Sequence, residues 1–149
     1  MMPFVIKIIA GVISTVGFAI IFRLKPSHWL FAAIDGLVAC FCYFAFSELI
    51  DGVFWPNALA AFFTAFLAEI FARICKAPST IFLLPGCIAL VPGGTLYYTM
   101  SNFLSENYSE ASKFLLITVE VGVAIGGGII VASIMRLAIV KFIDRVKGK

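Results

Sequence analysis

The chain has 149 residues, of which 62% are hydrophobic and 13% are charged, and its formal net charge is +3. Soluble domains are nearer half apolar and a quarter charged. So short a chain cannot bury this much apolar surface in one aqueous core, because small domains keep a large surface fraction. The composition therefore predicts an all-α polytopic membrane protein. The placement of the charged residues along the chain argues against nucleic-acid binding, which needs a clustered basic face.

Five apolar stretches are each long enough to cross a bilayer, which takes about 20 helical residues. The predicted spans are residues 3–22, 29–50, 53–74, 79–103 and 114–135, followed by a basic tail over 136–149. The first stretch has no basic segment before its apolar run, so we interpret it as a span and not as a cleaved signal peptide. The whole chain is predicted to form one transmembrane domain.

Basic residues are distributed unevenly between the two ends of these spans. Five crossings place nine of the 11 Lys and Arg residues on one side, and only Lys7 and Lys113 on the other. Cytoplasmic segments carry the excess of positive charge. The asymmetry predicts a multi-pass protein of the cell membrane with its N-terminus outside and its C-terminus in the cytoplasm. It also predicts that the fourth segment crosses, since a re-entrant loop there would move the tail to the other side.

The fourth segment carries helix-breaking residues within an apolar run, at Pro85-Gly86 and at Pro92-Gly93-Gly94. Proline lacks an N–H donor and clashes with the carbonyl group four residues back, while glycine makes unwinding sterically cheap. We predict a helix broken at both places near the bilayer midplane, leaving half-helices over about residues 79–84 and 95–103. A merely kinked helix packed against its neighbours is the alternative, since Pro and Gly are commoner in membrane helices.

Breaks of this kind are tolerated in a bilayer where the backbone lines a cavity or a binding site. The second half-helix would begin at Gly94-Thr95 with unpaired N–H groups and a positive dipole end, which suits a carboxylate. Two tyrosines in the following turn add hydroxyl groups. The predicted substrate-binding residues are Pro85, Gly86, Pro92, Gly93, Gly94, Thr95, Tyr97 and Tyr98.

Three acidic residues within the predicted spans are candidates for carrying a coupling proton. Asp35 lies about seven residues into the second span, and Glu120 lies about seven residues into the fifth. Ionisable groups at such depth are rare and usually face an interior cavity, although a helix–helix hydrogen bond would explain each equally well. Glu69 stands four residues before Arg73, an order that favours an intrahelical ion pair over a proton-carrying role.

The remaining polar and small residues point to structural roles. Gly122 and Gly126 have the spacing that allows two helices to approach closely. No C-x-x-C pair occurs, and the single histidine, His28, has no spaced partner, so neither a metal site nor a disulfide is expected. No nucleotide-binding loop appears and no nucleophile–base pair is evident. We therefore expect no cofactor and no enzymatic activity.

Residues 72–100 contain an Ala-Arg…Pro step, an apolar run ending in proline, and a Val-Pro-Gly-Gly-x-x-Tyr block. The positions involved are Ala72, Arg73, Pro78, Pro85, Val91, Pro92, Gly93, Gly94 and Tyr97. This stretch resembles the threonine/serine exporter family, and in particular its small, separately encoded membrane subunit, which is equivalent to the C-terminal half of the fused exporters. Ala89 is a small departure, because a further proline would be expected near it.

The resemblance implies export of small carboxylates: threonine and serine for fused members, and dicarboxylates such as succinate for some split pairs. It also implies a larger membrane subunit as partner, in a two-component exporter. Five spans make a thin bundle, so a partner chain or a homo-oligomer is expected on that ground too. Inverted pairs of such bundles place the substrate site at their interface. A structural subunit that stabilises a partner carrying the site is the alternative function.

Overall fold

The computed structural model describes residues 2–147, and every regular element within them is helical. The helices are α1 (Met2–Ile21), α2 (Trp29–Leu49), α3 (Phe54–Cys75), α4 (Thr80–Ile88), α5 (Gly93–Leu104) and α6 (Tyr108–Lys147), with a 3-10 turn over Pro26–His28 before α2. The predicted all-α class is thus confirmed. Lys149, at the end of the predicted basic tail, lies outside the described residues.

Within residues 2–147, three helical segments are long and apolar enough to cross a membrane. They are Pro26–Leu49, Phe54–Cys75 and Tyr108–Phe142. Helices α4 and α5 pass the same test only together, as a pair bent by 54°, which would make four. The apolar part of α1, Val5–Ile21, is shorter than these segments. Five crossings and their orientation therefore stay predictions.

The first predicted break is wrong, because α4 continues through Pro85-Gly86 and ends at Ile88. Proline is tolerated inside a membrane helix when neighbouring elements surround the freed backbone groups, and Pro85 is fully buried. The helix is instead interrupted over residues 89–92. Pro92 cannot donate to the helical ladder and disfavours helical backbone at the preceding residue, so the next helix starts only at Gly93.

The predicted tail is also helical and continuous with the fifth span. No glycine or proline occurs between Gly128 and Gly148, so nothing in the sequence stops the helix after residue 135. Helix α6 has 40 residues, or about 60 Å at 1.5 Å per residue. This is about twice the ~30 Å hydrocarbon thickness of a bilayer, so α6 extends well past the predicted span.

Helix α3 is the centre of the bundle and packs against α2, α4 and α6. Small side chains dominate its buried face, and they let neighbouring backbones approach closely where no hydrophobic force drives helices together. The buried alanines of α3 are Ala60, Ala61, Ala65, Ala68 and Ala72. The close contact with α6 is made at Gly128, whereas nothing lies within 4 Å of a Cβ built at Gly122 or Gly126.

Helices α3 and α6 run in the same direction. Gly128 lies against Ala58 and Phe62 near the beginning of α3. Eight residues later, Arg136 pairs with Glu69 near the end of α3, with 3.2 Å between Nη1 and Oε2. Since both helices advance together, the chain has to return between them through α4 and α5.

Gly128→Ala is expected to destabilise the protein by about 1–3 kcal/mol, because the added methyl group overlaps backbone atoms of α3, which cannot move aside as a side chain can. Gly127→Ala is the matched control, since nothing lies within 4 Å of its Cβ position and alanine gains up to about 1 kcal/mol of helix propensity there. Unfolding of the detergent-solubilised protein measures both. Equal effects of the two substitutions would contradict the α3–α6 contact.

Candidate functional site

A cavity of about 260 Å³ lies at the interruption between α4 and α5. Helices α2, α3 and α6 supply its other walls. The lining residues are Tyr43, Val53, Asn57, Ala89, Leu90, Val91, Pro92, Gly93, Gly94, Thr95, Ile117 and Val121. Leu90 is buried in a cluster with Ala39, Ala60 and Ala61, so the interruption lies inside the bundle.

The interruption is held by short-range hydrogen bonds and by one bond to α6. The Gly93 amide donates to the Val91 carbonyl at 2.8 Å, and the Thr95 hydroxyl donates to the Pro92 carbonyl at 3.1 Å. Thr118 Oγ1 of α6 lies 2.8 Å from Thr95 Oγ1. These contacts fix the beginning of α5 against α6, so the geometry of the turn is set by tertiary structure as well as by Pro92.

The beginning of α5 is the feature of the cavity best suited to an anion. The amides of Gly94 and Thr95 belong to the first helical turn, where N–H groups have no acceptor within the helix. The positive end of the helix dipole adds to them. One wall of the cavity is thereby formed by a helix N-terminus, the kind of backbone that binds carboxylate or phosphate.

Two polar cavity residues were missed by the sequence analysis. Tyr43 of α2 and Asn57 of α3 both line the wall, and the Asn57 side-chain amide donates to the Val53 carbonyl at 2.7 Å. Asn57 is an uncharged polar residue inside an apolar span. An uncharged polar residue in that position is the sequence signal that points to Asn57.

Pro85 and Gly86 lie away from this cavity, in the packed centre of the bundle. A Cβ at Gly86 would overlap the Asp35 carboxylate and approach Thr64. Asp35 is completely buried, and neither of its carboxylate oxygens has a hydrogen-bond partner among the described residues. The fold therefore brings Asp35 of α2 to α4, although at Gly86 and not at the interruption.

The other predicted site residues lie outside the cavity. Tyr97 is 67% exposed and Tyr98 is 53% exposed, and the Tyr98 ring packs on Phe114 with centroids 5.3 Å apart. Glu120 is exposed on α6. The ion pair predicted between Glu69 and Arg73 is wrong, because the partner of Glu69 is Arg136 on α6: the parallel packing of two helices outcompetes the local pair.

A second cavity, of about 330 Å³, lies on the other side of the interruption. It shares Tyr43, Ala89 and Leu90 with the first, and Lys7 of α1 lies on its wall. The Lys7 ammonium is 5.8 Å from the centroid of the Phe44 ring. Among the described residues, no group of three or more His, Cys, Asp or Glu side chains is placed to hold a metal ion.

The family model described as "Threonine/Serine exporter, ThrE" matches residues 7–135, which is most of the chain. The chain belongs to the threonine/serine exporter family. Searches of curated proteins and of solved structures each found no match. The family and the apolar helices together make this a transmembrane protein with an exporter-type transport role. Membership of a transporter family also favours transport over catalysis.

The contact between Gly86 and Asp35 can be tested by a double-mutant cycle in this exporter-family chain. Gly86→Ala is expected to cost about 1–3 kcal/mol by overpacking, and to cost much less when Asp35 is already Ala, because contacting residues couple by about 0.5–3 kcal/mol. Gly17→Ala is the control, since nothing lies within 4 Å of its Cβ position. Unfolding measurements that gave additive costs would contradict the contact.

Proposed function

We propose that this chain is a subunit of a secondary transporter that exports small carboxylates: threonine and serine, or dicarboxylates such as succinate. The observation that carries the proposal is the cavity at the interruption, which is lined by the first residues of α5, including Gly94 and Thr95. Its volume of about 260 Å³ lies below the ~300–1,000 Å³ typical of drug-sized ligands. It therefore suits a small solute.

In this proposal the substrate carboxylate lies at the beginning of α5, between Pro92 and Thr95. Tyr43 and Asn57, on the opposite helices, are placed to contact the rest of the substrate. Pro85 and Gly86 act indirectly, by carrying the contact of α4 with Asp35. Tyr97 and Tyr98 complete the site from the side that a partner chain covers, since both are exposed here.

Asp35 is the strongest of the three coupling candidates. An ionised carboxylate without a partner is expensive in a bundle interior unless a proton or a cation neutralises it, and Asp35 has no hydrogen-bond partner among the described residues. Its neutralisation would act directly on α4 through Gly86. Glu69 is a weaker candidate because it is already paired with Arg136. Glu120 is exposed, so it could carry a proton only at an interface with a partner chain.

The parallel arrangement of α3 and α6 supports a fourth segment that crosses the membrane. A chain that leaves the end of α3 and re-enters at the beginning of a parallel α6 has to travel the length of the bundle. Helices α4 and α5 form this connection as a pair bent by 54°. We therefore favour a broken span over a re-entrant loop, and retain the N-out, C-in orientation in the cell membrane.

Gly94→Leu is expected to lower substrate efflux by at least about tenfold, equivalent to ~1.4 kcal/mol, because the side chain would fill the cavity at the carboxylate position. Gly17→Leu is the matched control on α1, where nothing lies within 4 Å. Efflux of labelled threonine, serine and succinate is measured in cells that express the chain with the product of the neighbouring gene, at equal membrane abundance of each variant.

Normal efflux with Gly94→Leu would show that the cavity is not the substrate site. Normal efflux that still depends on the presence of the chain would then favour the alternative function, a structural subunit that stabilises a larger partner carrying the site. Equal efflux with and without the chain would overturn the transport proposal altogether.

A larger exporter subunit, or a second copy, is proposed to cover the α6 face around Glu120. The neighbouring Leu116, Val119 and Val123 are all at least half exposed. A carboxylate turned towards lipid at the centre of a span costs about 2.5–3.5 kcal/mol on insertion scales. A protein partner that satisfies Glu120 removes that cost, and a bundle this thin has room for it.

Glu120→Leu distinguishes a partner from lipid by the sign of its effect. At a protein interface it is expected to weaken co-purification of the chain with its partner, because the partner's polar group loses its acceptor. On a lipid-facing surface it would leave the complex unchanged and stabilise the chain. Glu48→Leu, at an exposed position near the end of α2, is the control for loss of one negative charge.

A further inference from the structure

A third cavity lies at the end of the bundle opposite to the beginning of α3, and basic residues surround it. Its volume is about 340 Å³. Arg23 and Lys25 reach it from the link after α1, and Lys76 reaches it from the link after α3. His28 lies on the same wall. No carboxylate is among the described residues that line it, so the cavity concentrates positive charge from segments more than 50 residues apart in sequence.

Arg23, Lys25 and Lys76 form no ion pair with any residue that the structure describes. Within the described residues the two ion pairs are Lys113–Glu110 and Arg136–Glu69, and neither involves the basic cavity. Like charges held together raise the free energy of the fold unless an anion or solvent screens them. The arrangement thus provides a recognition surface for a negatively charged group.

Two of the cations are held by a backbone conformation that side chains rarely adopt. Arg23 has φ 56° and Lys76 has φ 49°, the left-handed region that helix ends usually fill with glycine. Both residues follow the C-terminal end of a helix, where a cation interacts favourably with the negative end of the helix dipole. However, α4 begins at this same end of the bundle, just after Pro78, and the N-terminus of a helix is the positive end of its dipole. Helix dipoles alone therefore do not explain why three cations lie together here.

The other walls of this cavity are apolar. Phe22 and Ile81 line it beside the cations, and Phe22 is 47% exposed. Trp29 lies at the same end and donates its indole N–H to the Leu24 carbonyl at 3.1 Å, as tryptophan does at membrane–water interfaces. Cations at the rim and apolar residues below match an amphiphile with an anionic head and a hydrocarbon tail.

We propose that this cavity binds the phosphate group of an anionic phospholipid, with Arg23, Lys25 and Lys76 around the headgroup and Phe22 and Ile81 along the acyl chain. Basic pockets between membrane helices bind anionic headgroups in this way. The lipid would link α1 to the α3–α4 connection, the two segments that supply the cations. The site is separate from the cavity at the α4–α5 interruption and does not depend on the transport proposal.

The test measures thermal unfolding of the full-length chain in detergent with added phosphatidylglycerol, phosphatidylcholine or inorganic phosphate, and counts bound lipids by native mass spectrometry. Phosphatidylglycerol is expected to raise the unfolding temperature, and the other two additives are not. Arg23→Asn and Lys76→Asn should each weaken phosphatidylglycerol binding about fivefold, and the pair roughly thirtyfold, on ~1 kcal/mol per cation. Asparagine adopts the left-handed conformation readily, so both turns are kept.

Lys25→Gln provides a second variant, because Lys25 has ordinary extended backbone angles and no turn depends on it. Lys76→Arg keeps the positive charge and should therefore bind phosphatidylglycerol as the unmodified chain does. Lys141→Asn removes an exposed cation of α6 outside the cavity and should leave binding unchanged. Equal shifts with phosphatidylcholine or with inorganic phosphate would overturn the proposal. The proposal would also be overturned if Lys141→Asn weakened phosphatidylglycerol binding as much as Lys76→Asn, or if Lys25→Gln did not weaken it.

Discussion

The interruption at residues 89–92 depends on one constraint: in a bilayer, backbone N–H and C=O groups must find partners within the protein. Pro92 removes one donor from the ladder, and the first turn of α5 leaves others without helical acceptors. Helices α2, α3 and α6 surround the turn, and a hydrogen bond joins Thr95 to Thr118. The cavity at this point is therefore a consequence of the interruption between α4 and α5, and the first residues of α5 line it.

The packing of α3 makes this arrangement possible. Its alanine face lets α2, α4 and α6 come close, and Gly128 allows α6 to lie directly against the backbone of α3. Because α3 and α6 are parallel, α4 and α5 have to occupy the space between their ends. Asp35 is then enclosed by α4 at Gly86, where a residue with any side chain would collide with it. The position of the interruption and the burial of the Asp35 carboxylate thus both depend on how α4 packs in the bundle.

Much of the fold and part of the site were predictable from local chemistry. Helical class follows from apolar runs that must satisfy their own backbone, and the second break follows from Pro92, which cannot donate. Pro85 shows the limit of such reasoning: it carries the same local cost, but complete burial among three helices outweighs that cost. The pairing of Glu69 with Arg136 shows the same limit, since no sequence spacing indicates that α6 runs beside α3.

The sequence by itself determined that this is a helical membrane protein of the exporter type, that a helix-breaking proline and two glycines stand at residues 92–94, and that few charges lie within its apolar segments. These properties depend on residue type and on spacing along the chain. Only the tertiary structure decided which residues meet. It placed Tyr43 and Asn57 at the cavity, left Tyr97, Tyr98 and Glu120 on the surface, and gathered Arg23, Lys25 and Lys76 around one pocket. Such contacts arise from helix direction and close packing, which no local pattern specifies.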